Sequence, residues 1–242
     1  MPQITLHVLP PSHPSHAAEL ALKLKGLEFE KVELQPGPHV QAMADVYGEG
    51  RTTVPGMVVD GEAVHGSIPI CRRLEELAPE PTLYPSQEVL EAEEWAEREL
   101  QPLGRRLPWG ALWFRPEHLS LVGGATEPLD PAGTDFAMKV IRATWKYHGL
   151  TAVQVAEALE ALPGVLDRAD ALAEQGLLGE GDRPTGAGLQ VGSTLRVLHF
   201  VGDLHPLLAG RPSVELGARW FPHPQASVPA GALPAGWVPQ PA

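Results

Sequence analysis

Little in this chain of 242 residues could cross-link it, carry it through a bilayer or hold it to a polyanion. A single cysteine, Cys71, excludes an internal disulfide and fits a reducing compartment. No apolar run approaches the ~20 residues that a membrane-spanning helix needs. The N-terminus lacks a basic start and breaks at Pro10-Pro11, so no secretory signal is expected, and a cytoplasmic location is. Cations are scarce. The 18 Lys and Arg stand against 30 Asp and Glu, a formal charge of −12, which argues against nucleic acid or an anionic membrane as partner. That charge also gives no long-range steering toward an anionic ligand, so a pocket for one must attract it locally. There is no internal repeat.

What is present is enough apolar material, 43% of residues, to fill the cores of two small domains. Ile4 to Leu9 reads as a buried strand ended by Pro10-Pro11. Ala17, Leu20, Ala21 and Leu24 follow at helical spacing and stop at Gly26. Phe29 to Leu34 reads as a second strand, and strand-helix-strand within so short a span predicts parallel neighbours. Residues 36–51 read as loop with one irregular helix. Met57-Val58-Val59, Asp60-Gly61 and Ala63-Val64 then spell a hairpin around a type I′ turn. Ser67 precedes Ile68, Ile70, Cys71, Leu74 and Leu77, an apolar helical stripe that it is placed to cap.

Pro79, Pro81 and Pro85 mark a linker, after which strand patterns give way to amphipathic helices. One begins at Ser86 and runs toward Trp113. Others are expected over 135–147, over 151–174 with a kink at Pro163, from Thr185, and over 214–221. The Pro-, Ala- and Gly-rich end reads as extended or disordered. The expected division is 1–78 for an α/β domain, 79–86 for a linker, 87–221 for an all-helical domain and 222–242 for a tail.

The chemistry this layout suggests is thiol activation. A free cysteinyl thiol has a pKa near ~8.5, and bringing it to ~6.5 requires about 2.7 kcal/mol of preference for the thiolate. A hydrogen bond to a charged acceptor supplies roughly 1.5–3 kcal/mol and a helix N-terminus roughly 0.3–1 more. One hydroxyl at a helix start is therefore sufficient without a base. Ser12 stands at such a start, and Ser15 in the same first turn; each also suits plain capping. A proline before a strand edge, as in Val54-Pro55, can be cis and leave the preceding backbone groups free for an extended ligand.

The loop Leu9-Pro10-Pro11-Ser12-His13-Pro14-Ser15, the Val54-Pro55 dipeptide before its hairpin, and Ser67 at the next helix together resemble the glutathione S-transferase family. The similarity is to a bacterial, serine-type, actinobacterial-type subgroup. It implies a thioredoxin-like βαβ-ββα domain followed by an all-helical one, and a homodimer. It also implies roles. Ser12, or else Ser15, would contact the sulfur of glutathione, the co-substrate. Val54 before a cis Pro55 would pair with the peptide's backbone, and Gly66-Ser67 would bind its γ-glutamyl carboxylate. Three positions depart from the family pattern. Gly66 stands where Glu or Gln is common, His16 where Arg is common, and Thr185-Gly186-Ala187-Gly188 lacks the Asp of a complete capping box.

The small electrophilic second substrate would sit against the aromatics of the helical part, Trp109, Trp113 and Phe114, which also suit a plain core. No metal is expected, because His13 and His16 lack a completing ligand set. Cys71 reads as core. Arg72-Arg73 and Arg105-Arg106 read as solvated faces or dimer contacts. Three functions remain open. One is a transferase in which a glutathione thiolate attacks a small electrophile; another is a non-catalytic binding or assembly module of the same fold. The third is a transferase that uses a different low-molecular-weight thiol.

Overall fold

The computed structural model describes residues 2–240, so Met1 of the expected first domain and Pro241-Ala242 of the expected tail lie outside the described residues. Strand β1 (Ile4–Val8) buries Ile4, Leu6 and Val8 on one face and turns Thr5 and His7 to the other, as its period of two requires. Helix α1 (His13–Leu24) opens with Ser12 as its cap and Pro14 in its first turn, where a missing N–H costs nothing. β2 (Glu30–Glu33) returns parallel to β1. The stretch expected to be mostly loop contains a regular helix, α2 (His39–Tyr47).

β3 (Gly56–Val59) and β4 (Glu62–His65) form the expected hairpin. Asp60 and Gly61 hold φ of 48° and 86°, the doubly left-handed turn that matches the twist of the strands it joins. α3 (Ser67–Leu77) follows at once. The sheet runs β2-β1-β3-β4, with β1 parallel to β2 and antiparallel to β3. This is the thioredoxin-like arrangement.

The helical part starts with α4 (Gln87–Trp95), a π-helical segment (Ala96–Leu100) and α5 (Gln101–Phe114), one continuous run in place of a single regular helix. The short α6 (Leu119–Val122) precedes α7 (Pro131–His148), which is longer than the apolar spacing suggests because Asp130 caps it by accepting from the Gly133 N–H at 2.7 Å. In α8 (Ala152–Glu174) Thr151 and Gln154 form a full capping box, and Pro163 lies inside without ending the helix. The expectation of purely helical structure here needs one correction. β5 (Gly179–Glu180) and β6 (Arg183–Pro184) pair in a two-residue hairpin, because Gly181 and Asp182 turn the chain between them.

Helix α9 (Gly186–Leu198) is the axis of the helical part, buried without interruption from Gly186 to Leu195 and packed against α1, α4 and α5. Such a helix must satisfy its polar side chains internally. The hydroxyls of Ser193 and Thr194 donate back to the Gln190 carbonyl at 3.2 and 2.9 Å. Thr185 caps the helix from outside, accepting from Gly188 N–H at 3.1 Å, which is the half capping box the sequence suggests. α10 (His205–Leu208) and α11 (Pro212–Trp220) complete the chain's helices among the described residues.

Two charged clusters join the sheet part to the helices, and neither is legible from charge pattern. Arg72 on α3 reaches the Glu93 carboxylate on α4 at 2.6 Å, stacks over the Tyr84 ring at 4.3 Å, and Tyr84 donates to the same carboxylate at 2.7 Å. Glu93 is fully buried, and Arg72, its side chain 36% exposed, keeps the solvated face its sequence suggests while also clamping that carboxylate. Lys25, also buried, bonds Glu75 at 2.5 Å and the carbonyl of Pro81 at 2.7 Å, tying the linker down.

The end of the chain is extended but docked. Val228 forms a parallel bridge with Val201, and Asp203 accepts from the backbone N–H groups of Gly231, Ala232 and Leu233 at 2.6, 2.9 and 2.9 Å.

Candidate functional site

The site suggested by the sequence lies at the carboxyl end of β1, where the sheet changes from parallel to antiparallel neighbours. The β1–β3 register ends at His7 opposite Gly56, so Val8-Leu9 and Val54-Pro55 flank the same end of this strand pair. The Leu9 carbonyl in turn accepts from the Ser12 N–H at 3.0 Å. Ser12 and Val54 thus share one end of the sheet although 42 positions separate them (54 − 12).

The Val54–Pro55 peptide bond is cis. Pro55 passes its carbonyl to the Gly66 N–H at 2.9 Å, while the backbone N–H and C=O of Val54 have no hydrogen-bond partner among the described residues. An extended peptide could pair with that free pair of groups as an added strand. Behind this edge the ring of Tyr47 lies against β3, its hydroxyl 2.7 Å from His7 Nδ1. Gly56 permits that contact, because a Cβ there would sit 2.2 Å from the ring. His65 Nε2 meets the Thr53 carbonyl at 2.8 Å and holds the loop before Val54.

Ser12 is half-buried at the start of α1, and its Oγ accepts from the Ser15 N–H at 3.3 Å. That leaves the hydroxyl proton available to an outside acceptor, since a serine oxygen accepts and donates at once. Ser15 is deeply buried, and its Oγ has no partner. His13 is buried between α1 and α5, where Gly104 makes room: a Cβ on Gly104 would lie 3.2 Å from the His13 ring. Burial, then the nearby Arg105 and then His16, push the His13 pKa down to about 3, so the ring is neutral.

Ser67 departs from expectation. The cap position of α3 belongs to Gly66, at φ 100°, and Ser67 is the first helical residue. Its hydroxyl is buried and donates to Gln190 Oε1 of α9 at 3.0 Å. A two-part packing decides this bond, and nothing near Ser67 in sequence signals it. Gln190 Nε2 remains buried without a partner.

The aromatics of α5 divide. Trp109 is partly buried, and its carbonyl accepts from Trp145 Nε1 of α7 at 3.0 Å. Trp113 stacks on Trp145 at 4.2 Å between ring centres. Phe114, at the far end of α5, meets Trp237 of the tail edge-on at 6.0 Å. Trp109 and Trp113 therefore bind α5 to α7, and Phe114 faces the tail. Cys71 is fully buried, and burial, with Glu93 nearby, pushes its thiol pKa upward, so it is core as expected.

The C-terminal end of α7 then reaches the sheet part. The Tyr147 hydroxyl is 2.6 Å from Thr52 Oγ1, and its ring faces His39 of α2 at 6.5 Å. These contacts join the end of α7 to α2 and to the loop before Val54. Arg105, part-buried on α5, has no hydrogen bond or ion pair among the described residues, unlike Arg72. Its neighbour Arg106 has the same local sequence context, so no sequence signal separates them. Two cavities lie elsewhere, one of about 200 Å³ beside the linker at Leu24 and Thr82, the other of about 240 Å³ beside the tail at Asp203. Among the described residues no three His, Cys, Asp or Glu converge as a metal site, and no helix is long and apolar enough to cross a membrane.

Residues 6–82 match the family described as Glutathione S-transferase, N-terminal domain. No curated protein sequence matches the chain. Among solved structures, a glutathione S-transferase from Rhodospirillum rubrum is 21% identical with a TM-score of 0.56, covering 89% of this chain and 86% of its own. The beta-etherase LigF from Sphingobium is 17% identical with a TM-score of 0.63, covering 90% and 93%. A theta class glutathione S-transferase from Xanthomonas axonopodis pv. citri, with glutathione bound, is 17% identical with a TM-score of 0.57, covering 82% and 83%. At these identities the likeness is one of fold.

Proposed function

Since residues 6–82 form a glutathione S-transferase N-terminal domain within a chain of the two-part transferase fold, we propose that this protein is a glutathione transferase-like enzyme. It would hold a thiol cofactor as its thiolate for attack on a small electrophile. The observation that carries this reading is the pair of Val54 backbone groups left without a partner among the described residues, at the same sheet end as the Ser12 hydroxyl. A peptide-like thiol laid along Val54 would bring its sulfur toward the start of α1. There the Ser12 hydroxyl donates to the thiolate while accepting from Ser15 N–H, and the helix N-terminus adds its positive end. Residues 1–78 would supply the thiol site and 87–221 the wall for the electrophile, in a cytoplasmic homodimer.

The test is calorimetric binding of glutathione together with turnover of 1-chloro-2,4-dinitrobenzene. Ser12→Ala is expected to leave affinity within about threefold and to lower turnover at least tenfold, because the lost bond is chiefly to the thiolate. Equal turnover by Ser12→Ala and the native protein would sink the role of Ser12. Sedimentation showing a monomer at micromolar concentration would remove the dimer.

One observation favours a second reading, a transferase for a different low-molecular-weight thiol. The Ser67 hydroxyl, which would meet a γ-glutamyl carboxylate, is buried and already donates to Gln190, and Gly66 offers no side chain. A thiol without a γ-glutamyl end would not need either. A thermal-shift comparison of glutathione, coenzyme A and cysteine separates the two, the stabilising thiol being the cofactor.

A further inference from the structure

We propose that the Arg105 guanidinium anchors a carboxylate, or an anionic group of like shape, on the second, electrophilic substrate. This rests on the transferase reading for the word substrate, though not for the binding itself.

The placement comes from α5 and its neighbours. Gly104, one residue before Arg105, is the point where α5 approaches the first turn of α1, with His13 one residue from Ser12. α7 packs along α5 through the bond from Trp145 to the Trp109 carbonyl and the Trp113–Trp145 stack. Arg105 lies one turn before Trp109, and His148 lies about one turn beyond Trp145, so the two meet at the same end of the α5–α7 pair. Tyr147 then bridges to Thr52 of the sheet part. Arg105 thus lies where α5 meets the first turn of α1 and the end of α7, on the side that faces the sheet part.

A part-buried guanidinium with no protein acceptor keeps its five N–H donors for water or for a ligand that replaces it. Among the other cations that bridge elements here, Lys25, Arg72 and Arg211 are matched to carboxylates and Arg115 and Arg196 to backbone carbonyls, whereas Arg105 meets neither among the described residues. The groups that face Arg105 are His13, His148, Arg106 and Tyr147, none of them an acid. Burial and Arg105 together push His148 down to about 4, so it adds no opposing charge of its own. On a molecule of net charge −12, an uncompensated cation where the helical and sheet parts meet is the local attraction that an anionic ligand requires. A guanidinium also matches a carboxylate through two parallel N–H···O bonds, which a lysine does not.

The test needs no thiol. Binding of 4-chloro-3-nitrobenzoate and of its neutral amide, 4-chloro-3-nitrobenzamide, is measured by calorimetry on the native protein, Arg105→Gln, Arg105→Lys and Arg106→Gln. The native protein and Arg106→Gln are expected to bind the benzoate about tenfold or more tightly than the amide. Arg105→Gln should remove most of that preference with the amide unaffected, and Arg105→Lys should keep part of it. Equal binding of benzoate and amide by the native protein would overturn the proposal. So would a parallel loss of both ligands in Arg105→Gln with a native circular-dichroism spectrum. Displacement of the benzoate by glutathione would also overturn it, because Arg105 would then serve the carboxylates of the thiol. Should Arg105→Gln not fold, the native benzoate-to-amide ratio and Arg105→Lys decide. Absence of glutathione binding leaves this result standing, so the two proposals fail separately.

Discussion

The Ser67 hydroxyl donates to Gln190 Oε1 across 3.0 Å, and the two residues belong to helices of different parts of the chain. The bond commits a serine expected at a ligand to the joint between α3 and α9. It makes the start of α3 and the helical core one mechanical unit, because any movement of Ser67 toward a carboxylate must release Gln190.

That coupling is measurable. Ser67→Ala and Gln190→Ala are each expected to destabilise the fold by about 1–3 kcal/mol, since each leaves a buried polar partner unpaired. The double variant should cost less than the sum by about 0.5–1.5 kcal/mol in urea denaturation. Strict additivity would mean that the bond contributes nothing.

The Arg72–Glu93 pair is expected to behave as a buried clamp. Arg72→Met leaves the fully buried Glu93 carboxylate with only the Tyr84 hydroxyl, and should cost about 3 kcal/mol. Burial already raises the Glu93 pKa in the folded state, against the opposing pull of Tyr84 and Arg72. An acid with a raised folded pKa loses stability as pH rises past its unfolded value. Removing the opposing cation raises it further, so the deficit of Arg72→Met should be larger at pH 8 than at pH 5. A deficit independent of pH would mean that Glu93 does not titrate in this range.

Three neutral histidines set an acid limit. Burial, the largest cause in each case, holds His13 at about 3 and both His148 and His199 at about 4, below the ordinary value of 6.5. The unfolded chain takes up protons below ~6.5 while the folded one resists, so stability is complete above that pH and falls as pH drops toward 4. The slope is up to about 1.4 kcal/mol per pH unit for each proton excluded. Urea midpoints at pH 7.5, 6.5, 5.5 and 4.5 give the curve, and His13→Asn should flatten it. A native midpoint unchanged down to pH 4.5 would contradict the neutral assignments.

The docked tail depends on Asp203, which gathers three consecutive backbone N–H groups. Asp203→Ala is expected to destabilise by about 2 kcal/mol and to open cleavage sites after Phe221 in limited proteolysis. Unchanged proteolysis would show that Val228 and Leu233, both buried, hold the tail without it.

The strands, the hairpin and most helix starts were legible because their causes are local. Alternation in Ile4–Val8, two left-handed residues at Asp60-Gly61, and capping side chains at Ser12 and Thr151 act over a few residues. The regular α2 was not, because its short sequence carries no side-chain cap and its buried face, Met43 and Tyr47, is defined by packing on the sheet. Phe114 was not placed because its neighbour, Trp237, is over a hundred positions away.

By itself the sequence determined the order of elements, the cis-capable Val54-Pro55 edge and the serine at the first helix, since backbone sterics and hydrogen-bonding side chains decide these within one or two turns. Tertiary structure alone decided the fates of chemically similar residues. Arg72 met a buried carboxylate and Arg105 met none, while Ser67 met Gln190 and Ser12 kept a free proton. Those outcomes depend on which element packs opposite. Charge and hydrogen-bond capacity travel with a residue, but its partner is fixed only when distant segments are brought within about 3 Å.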